Sequence, residues 1–182
     1  MEETLQAYDQ LIRQGKVRAI GASNYSAQHM AEALAVSEQS GCPRYECLQP
    51  LYNLYDRADY EKELEPLCRK KGLGVISYFS LGSGFLTGKY RSKDDLSKNA
   101  RGDIVKKYLN ERGFRILDAL DCVAQQYQMT PAKIALAWLI SNPSITAPIA
   151  SATNLEQLNE LIQAATIELD PSAIDQLNQA SD

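Results

Sequence analysis

The chain is poor in the residues that build metal sites. Its 182 residues include one histidine and four cysteines, none of them in a C-x-x-C pair. A zinc site is not expected, because zinc ligands are chiefly cysteine and histidine at characteristic spacings. Glu2 and Glu3 follow Met1 directly, so we expect no signal peptide and a reducing cytoplasm with free thiols.

Long apolar runs and an excess of positive charge are also missing. No apolar stretch reaches the roughly 18 residues that cross a bilayer. The 19 Lys and Arg residues face 23 Asp and Glu, a net charge of -4. Nucleic acids and anionic membranes attract basic surfaces, so neither is expected as a partner. Hydrophobic residues make up 45%, and this length and composition suit a single domain over residues 1–182 with a substantial core.

What the chain does contain is an alternation of short strands and amphipathic helices. The predicted strands are Val17–Ser23, Tyr45–Leu51, Gly74–Tyr78 and Thr146–Ala150. The predicted helices are Thr4–Arg13, the segment from Ser26 to Gly41, Tyr60–Lys70, Glu111–Gln128, a helix opening at Thr130-Pro131, Asn154–Ala164 and a short one opening at Asp170-Pro171. The first three strands start roughly 30 residues apart, which is typical of βα units. Arg91–Lys107 is polar and is predicted to be a surface loop. The pattern predicts an α/β fold with parallel strands, in either a doubly wound sheet or part of a barrel.

Three predicted strands end in chemically distinctive residues: Ser23 with Asn24, then Gln49, then Tyr78. In parallel α/β folds these ends share one rim, where ligands bind. An amide, a hydroxyl and an aromatic ring at one rim can hold a planar heterocycle that bears a carboxamide. The alternative is that Ser23 and Asn24 only start a turn and that Gln49 caps its loop. Their common placement favours a site.

The segment Gly82–Gly88 follows the third strand and is rich in glycine. Its backbone N–H groups could surround a phosphate. It is not the G-x-G-x-x-G fingerprint of dinucleotide-binding folds, because the third glycine comes one residue late. The alternative is a tight turn that needs positive φ angles, and the sequence leaves both interpretations open.

Five segments, in this order, resemble the aldo-keto reductases: Gly15–Asn24, Gln49–Leu54, Tyr78–Lys89, Ala135–Leu139 and Pro148–Leu158. That family consists of (β/α)8 barrels that use NAD(P)H to reduce carbonyl groups. The resemblance covers nearly the whole chain. It implies the C-terminal half of a TIM barrel, with an extra helix and a long loop before the last strand.

The resemblance also implies a set of cofactor-binding residues. At the nicotinamide end, Ser23, Asn24 and Gln49 would hydrogen-bond the carboxamide, and Tyr78 would stack on the ring. At the phosphate end, the implied residues are Leu81, Ser83 and Gly84 for the pyrophosphate, Lys89 close behind them, and Thr153 and Gln157 for the adenosine 2′-phosphate.

Two positions depart from the family's pattern. Asn154 stands where many members have Lys or Arg, and Leu161 stands where many have an asparagine that contacts adenine. A neutral asparagine attracts a dianionic phosphate more weakly than arginine does. NADP is the expected cofactor, with NAD as the alternative.

The family's Tyr, Lys, Asp and His catalytic set lies on the first four barrel strands, so no residue here is assigned to those roles. We therefore expect the nucleotide-binding half of an oxidoreductase, inactive alone. The alternatives are a non-catalytic nucleotide-binding or assembly module, and a half-enzyme completed in trans by an N-terminal partner. An open half-barrel would leave strand edges unpaired and expose inner apolar residues such as Val75 and Ile149, which predicts a homo-oligomer or a complementing half.

Overall fold

A computed structural model describes residues 1–97 and 101–182 of the chain. These residues form two compact units. The first comprises Met1–Pro50 and Ala58–Ile76, and the second comprises Leu51–Arg57 and Ser77–Asp182. The strands are β1 (Ile20–Ser23), β2 (Tyr45–Gln49), β3 (Gly74–Ser77) and β4 (Ala147–Pro148). The α-helices are α1 (Glu2–Arg13), α2 (Ala27–Ser40), α3 (Glu65–Lys71), α4 (Gly102–Val105), α5 (Glu111–Tyr127), α6 (Pro131–Ser141), α7 (Leu155–Ala164) and α8 (Pro171–Ser181).

The sheet has the hydrogen-bonded strand order β1-β2-β3-β4. β1 pairs with β2 in parallel, and β2 pairs with β3 in parallel. The register shifts between Ile20 and Gly21. A Cβ atom at Gly21 would collide with the Cys47 sulfur, so glycine is what lets β1 approach β2 at this point. The fold is therefore α/β with a parallel four-stranded sheet, consistent with part of a (β/α)8 barrel, as the sequence predicted.

The helices of the first unit begin and end at residues that the sequence marks. Ser26 Oγ accepts a hydrogen bond of 3.2 Å from the His29 N–H and caps α2, which ends at Gly41 with φ of 65°. Met30 and Ala33 on this helix are buried. The predicted helix from Tyr60 is instead a π-helical segment over Tyr60–Leu64 that continues as α3.

The second unit is mainly helical. Asn110 Oδ1 accepts a 2.9 Å hydrogen bond from the Gly113 N–H and caps α5. The apolar stripe of α5 is buried, and this helix packs against α6 and α8. Trp138 on α6 is 3% exposed and donates from Nε1 to Asn178 Oδ1 at 3.0 Å. Trp138 therefore belongs to the core of the second unit.

Several sequence expectations need correction. Arg91–Lys107 is not a plain surface loop, because it contains the 3₁₀ turn Lys93–Asp95, α4 and the start of a second 3₁₀ turn at Lys106. Residues 98–100 of that predicted loop lie outside the described residues. All four strands are shorter than predicted, since backbone pairing decides where a strand ends and propensity does not.

One of the two exposed inner residues expected of an open barrel is not exposed. Val75 is completely buried, and it lies in β3 opposite Leu48 of β2, which is also completely buried. Ile149 is 41% exposed, in agreement with the expectation. Within the part of the chain that the structure describes, no helix combines the length and apolarity needed to cross a membrane.

Candidate nucleotide-binding site

The first group of predicted site residues lies at the ends of β1 and β2. Ser23 Oγ donates to the Gln49 carbonyl oxygen at 3.1 Å and to Gln49 Oε1 at 3.2 Å. The Asn24 N–H donates to the same carbonyl at 3.2 Å. Asn24 has φ of 58°, a left-handed conformation that asparagine tolerates better than most residues. The structure thus brings Ser23, Asn24 and Gln49 together, and Gln49 Oε1 already has a donor.

The second group lines a cavity of about 740 Å³ inside the second unit. This volume is within the usual range for small-molecule pockets. All seven predicted residues of this unit line it: Tyr78, Leu81, Ser83, Gly84, Lys89, Thr153 and Gln157. Segments far apart in sequence therefore face one space, as a ligand site requires.

The glycine-rich segment forms one wall of the cavity. Gly82–Thr87 is a 3₁₀ segment with a kink, where Ser83 has φ of 57° and Gly84 has φ of 94°. A Cβ atom at Gly84 would lie 3.1 Å from Lys89 Cε and 3.3 Å from Lys89 Nζ. Glycine here therefore lets the lysine ammonium lie directly against the backbone of the turn. The positive φ angles of Gly82, Gly84 and Gly88 agree with the tight turn that was one of the two interpretations of this segment.

The lining of the cavity carries more positive than negative charge. Lys89, Arg101 and Lys133 line it together with one carboxylate, that of Glu160. Such a surface attracts an anion. Of these four residues only Lys89 was predicted from the sequence, because nothing local in the sequence connects residues 101, 133 and 160 with the glycine-rich turn.

Three hydroxyl groups at this cavity lack partners among the described residues. They are Ser83 Oγ, Tyr90 OH and Thr130 Oγ1. Ser83 is 4% exposed and Tyr90 is completely buried. A buried hydroxyl without a partner costs free energy. The sequence placed Thr130 as the cap of α6, but its side chain makes no capping hydrogen bond.

The wall near α7 is held by a local network. Thr153 Oγ1 donates to Gln157 Oε1 at 3.0 Å, and the Thr153 N–H donates to the same oxygen at 2.9 Å. Asn154 Oδ1 accepts from the Gln157 N–H at 2.9 Å and caps α7. Asn154 thus has a structural task that arginine could not perform. Leu161 also lines the cavity.

Metal ligands do not form a group in this structure. Among residues 1–97 and 101–182, no three histidine, cysteine, aspartate or glutamate side chains lie close enough together to hold a metal ion.

The sequence profile of the Aldo/keto reductase family matches residues 1–182. The chain belongs to the aldo-keto reductase family. It is 32% identical over 178 residues to an uncharacterized oxidoreductase of Bacillus subtilis, YrpG, covering 97% of this chain and 53% of that protein. It is 34% identical over 170 residues to the NADH-specific methylglyoxal reductase of Escherichia coli, covering 92% of this chain and 49% of the relative.

A further relative of this aldo-keto reductase chain is a probable voltage-gated potassium channel subunit beta of Oryza sativa. The identity is 31% over 185 residues, which covers 97% of this chain and 56% of the relative. The chain thus spans about half the length of the curated relatives it matches. This extent agrees with a fold that is part of a (β/α)8 barrel.

Proposed function

We propose that this chain is the nucleotide-binding half of an NAD(P)H-dependent carbonyl reductase. The observation that carries the proposal is the cavity of about 740 Å³ in the second unit. Its cationic lining and its glycine turn are features that bind phosphate, and the Ser83 hydroxyl has no partner among the described residues. Family membership supports the same conclusion.

The phosphate end of the nucleotide is assigned to the glycine turn. Ser83 Oγ, which has no partner among the described residues, would donate to a phosphate oxygen. Lys89 Nζ, held against Gly84, would neutralise the pyrophosphate, and Leu81 would pack beside it. Thr153 and Gln157 are assigned to the adenosine end.

The nicotinamide end is assigned to four residues by family resemblance. Gln49 Oε1 accepts from Ser23, so the Nε2 group of Gln49 is left to donate to the carboxamide oxygen. Asn24 would supply a second amide, and Tyr78 would stack on the ring and set the face that is exposed to substrate. NAD(P)H supplies a hydride when bound, while these residues position it and exclude water.

We further propose that the 182-residue chain does not reduce carbonyl groups by itself. Hydride addition to a carbonyl leaves an alkoxide that needs a proton. The Tyr, Lys, Asp and His set that provides it in this family is assigned to no residue of the chain. Turnover by the isolated chain is expected to be far below the common range of roughly 1–10³ s⁻¹, and binding of the nucleotide is expected to be weak.

Titration with NADPH and NADH, followed by calorimetry and by quenching of Trp138 fluorescence, tests the binding proposal. Tyr78→Ala and Ser83→Pro should each weaken binding at least about fivefold, while Lys16→Gln, in an exposed turn, should not change it. Unchanged affinity in both site variants would place the nucleotide elsewhere and contradict the proposal. An aldehyde-reduction assay completes the test: activity from protein freed of host reductases would disprove the proposed inactivity.

A second candidate function is assembly with another polypeptide, either a second copy or an N-terminal half. It is favoured by the apolar stripe on α7, where Leu155 is 77%, Leu158 is 44% and Ile162 is 59% exposed. A stripe of this kind marks an interface more often than a solvated face. Relatives named as potassium channel beta subunits support an assembly role as well.

The molar mass in solution tests this second candidate. At micromolar concentration we expect a species larger than a monomer. Leu158→Glu combined with Ile162→Glu should reduce it to the monomer, while Gln126→Glu on an exposed position of α5 should not. A monomer of the unmodified chain that unfolds cooperatively would argue against assembly of identical copies.

A further inference from the structure

The backbone that leads into the glycine turn is strained at Phe79. This residue has φ of 53°, a left-handed conformation that is an outlier for a bulky side chain. Its ring is 45% exposed and lines the cavity. A residue stays in such a conformation only where the surrounding structure holds it there. Contacts elsewhere in the second unit must therefore fix the backbone of Phe79.

The contact that fixes Phe79 comes from Asn53, which is completely buried. Asn53 Nδ2 donates to the Phe79 carbonyl oxygen at 3.0 Å and to Asp56 Oδ2 at 3.2 Å. Asn53 Oδ1 accepts from the N–H groups of Tyr55 and Asp56 at 2.8 and 2.9 Å, so both ends of its amide are held. The Gly82 N–H donates to the same Phe79 carbonyl at 2.7 Å. This carbonyl therefore connects Asn53 with the start of the glycine turn.

The far end of the turn is held by the same buried network. The Phe85 ring stacks on the Tyr108 ring, with centroids 5.2 Å apart. The Tyr108 hydroxyl donates at 2.6 Å to Asp56 Oδ2, the oxygen to which Asn53 also donates. Ser83, which is assigned to the pyrophosphate, thus lies between two points that one network of hydrogen bonds and stacked rings holds in place.

We propose that Asn53 is a positioning residue of the nucleotide site. Its hydrogen bond to the Phe79 carbonyl keeps the glycine turn in the conformation that binds phosphate. This inference rests on the proposed function of the cavity as a nucleotide site. Asn53 acts through the backbone of Phe79 and needs no contact with the ligand. Its loss should therefore weaken binding of the phosphates and leave binding of the adenosine group nearly unchanged.

The test exchanges two neighbouring side chains in the full 182-residue chain, Asn53→Asp together with Asp56→Asn. The exchange keeps the net charge, but the group that faces the Phe79 carbonyl becomes a carboxylate, which cannot donate. The dissociation constants of 5′-ADP and adenosine are measured at pH 8 by calorimetry and NMR titration, because only 5′-ADP carries phosphates. We expect 5′-ADP to bind about tenfold more weakly and adenosine to change less than about twofold.

Three further variants separate positioning from a general loss of stability. Asn53→Ser keeps a local acceptor for the turn at this position, although a weaker one, and has no amide to reach Phe79, so it should show the same selective loss. Phe79→Gly added to the exchanged pair should restore most of the 5′-ADP affinity, because glycine adopts a positive φ without support. Asp170→Ala removes the cap of α8, so it should lower the urea midpoint and leave the ratio of the two affinities unchanged.

The outcomes distinguish this inference from the proposed function. If neither probe binds the unmodified chain, the nucleotide site is refuted and the role of Asn53 falls with it. If 5′-ADP binds more tightly than adenosine and both Asn53 variants keep that preference, the site stands and the positioning role is refuted. A loss of the preference in Asp170→Ala as well would attribute the effect to stability and would also refute the role of Asn53.

Discussion

The Tyr108 hydroxyl donates a hydrogen bond of 2.6 Å to Asp56 Oδ2. Tyr108 is completely buried. Burial raises the pKa of its phenol well above the ordinary value, and the nearby Asp56 carboxylate raises it further. The tyrosine is therefore a permanent donor, and Asn53 Nδ2 adds a second hydrogen bond to the same oxygen at 3.2 Å.

Removal of this hydroxyl should destabilise the protein. Tyr108→Phe removes the shortest of the hydrogen bonds to Asp56 Oδ2, although Asn53 still donates to that oxygen and Lys107 still contacts the carboxylate. We expect a loss of about 1–3 kcal/mol in the free energy of unfolding, measured with urea. Tyr127→Phe, which breaks the exposed hydrogen bonds of the Tyr127 hydroxyl with the Asp170 carboxylate and the Asp170 N–H, is the control and should cost less because these groups remain accessible to water. An equal loss in the free energy of unfolding for both variants would show that burial of the Tyr108 hydrogen bond does not increase its contribution to stability.

Ser83→Ala should affect stability and binding in opposite directions. The buried Ser83 hydroxyl has no partner among the described residues, so its removal should leave the free chain equally stable or up to about 1 kcal/mol more stable. Binding of 5′-ADP should weaken about three- to tenfold, because a phosphate donor is lost. The measurements are urea unfolding and calorimetry.

Ser80→Ala is the control for that variant. Ser80 Oγ donates to the Ile149 carbonyl at 2.8 Å, so its removal should lower stability. If Ser83→Ala also destabilised the free chain, the Ser83 hydroxyl would have a partner within the protein and its assignment to phosphate would fail.

Cys68 should be the thiol that reacts most slowly in the native protein. It is 1% exposed, and burial, with a smaller effect of the Glu65 charge, raises its thiol pKa to about 11. The reactive species is the thiolate, which is scarce at pH 8 for such a group. Iodoacetamide labelling followed by mass spectrometry should modify the exposed Cys122 first. Comparable rates at Cys68 and Cys122 before unfolding would show that the core around Cys68 opens readily.

The cap of α8 should make stability depend on acid pH. The Ala173 N–H and the Tyr127 hydroxyl both donate to the Asp170 carboxylate and lower its pKa. A lowered pKa in the folded state stabilises the fold above the unfolded pKa of about 3.9. That stabilisation disappears as the pH falls through the folded pKa. Asp170→Asn keeps a capping oxygen without a titrating charge, so unfolding measured between about pH 5 and 2 should show a weaker pH dependence. If Asp170→Asn and the unmodified chain showed the same dependence of stability on pH, this assignment would be contradicted.

The sequence by itself determined the features that depend on neighbours along the chain. Ser26, Asn110, Asn154 and Asp170 cap their helices as their positions indicate, because a capping bond spans only three residues. The order of the strands and helices also follows from local patterns. The family follows from those patterns and from their order along the chain. Exact strand ends did not follow, since they depend on pairing with another strand.

Only the tertiary structure decided which distant residues share a surface. The cavity joins the turn at Ser83, the helix start at Lys133 and the loop at Thr153, and no local pattern reports a contact across 50 or 20 residues of chain. The burial of Val75 and of Tyr90 is likewise a consequence of packing. The sequence gives the type of each side chain. The surroundings of that side chain depend on which other parts of the chain the folded backbone places next to it.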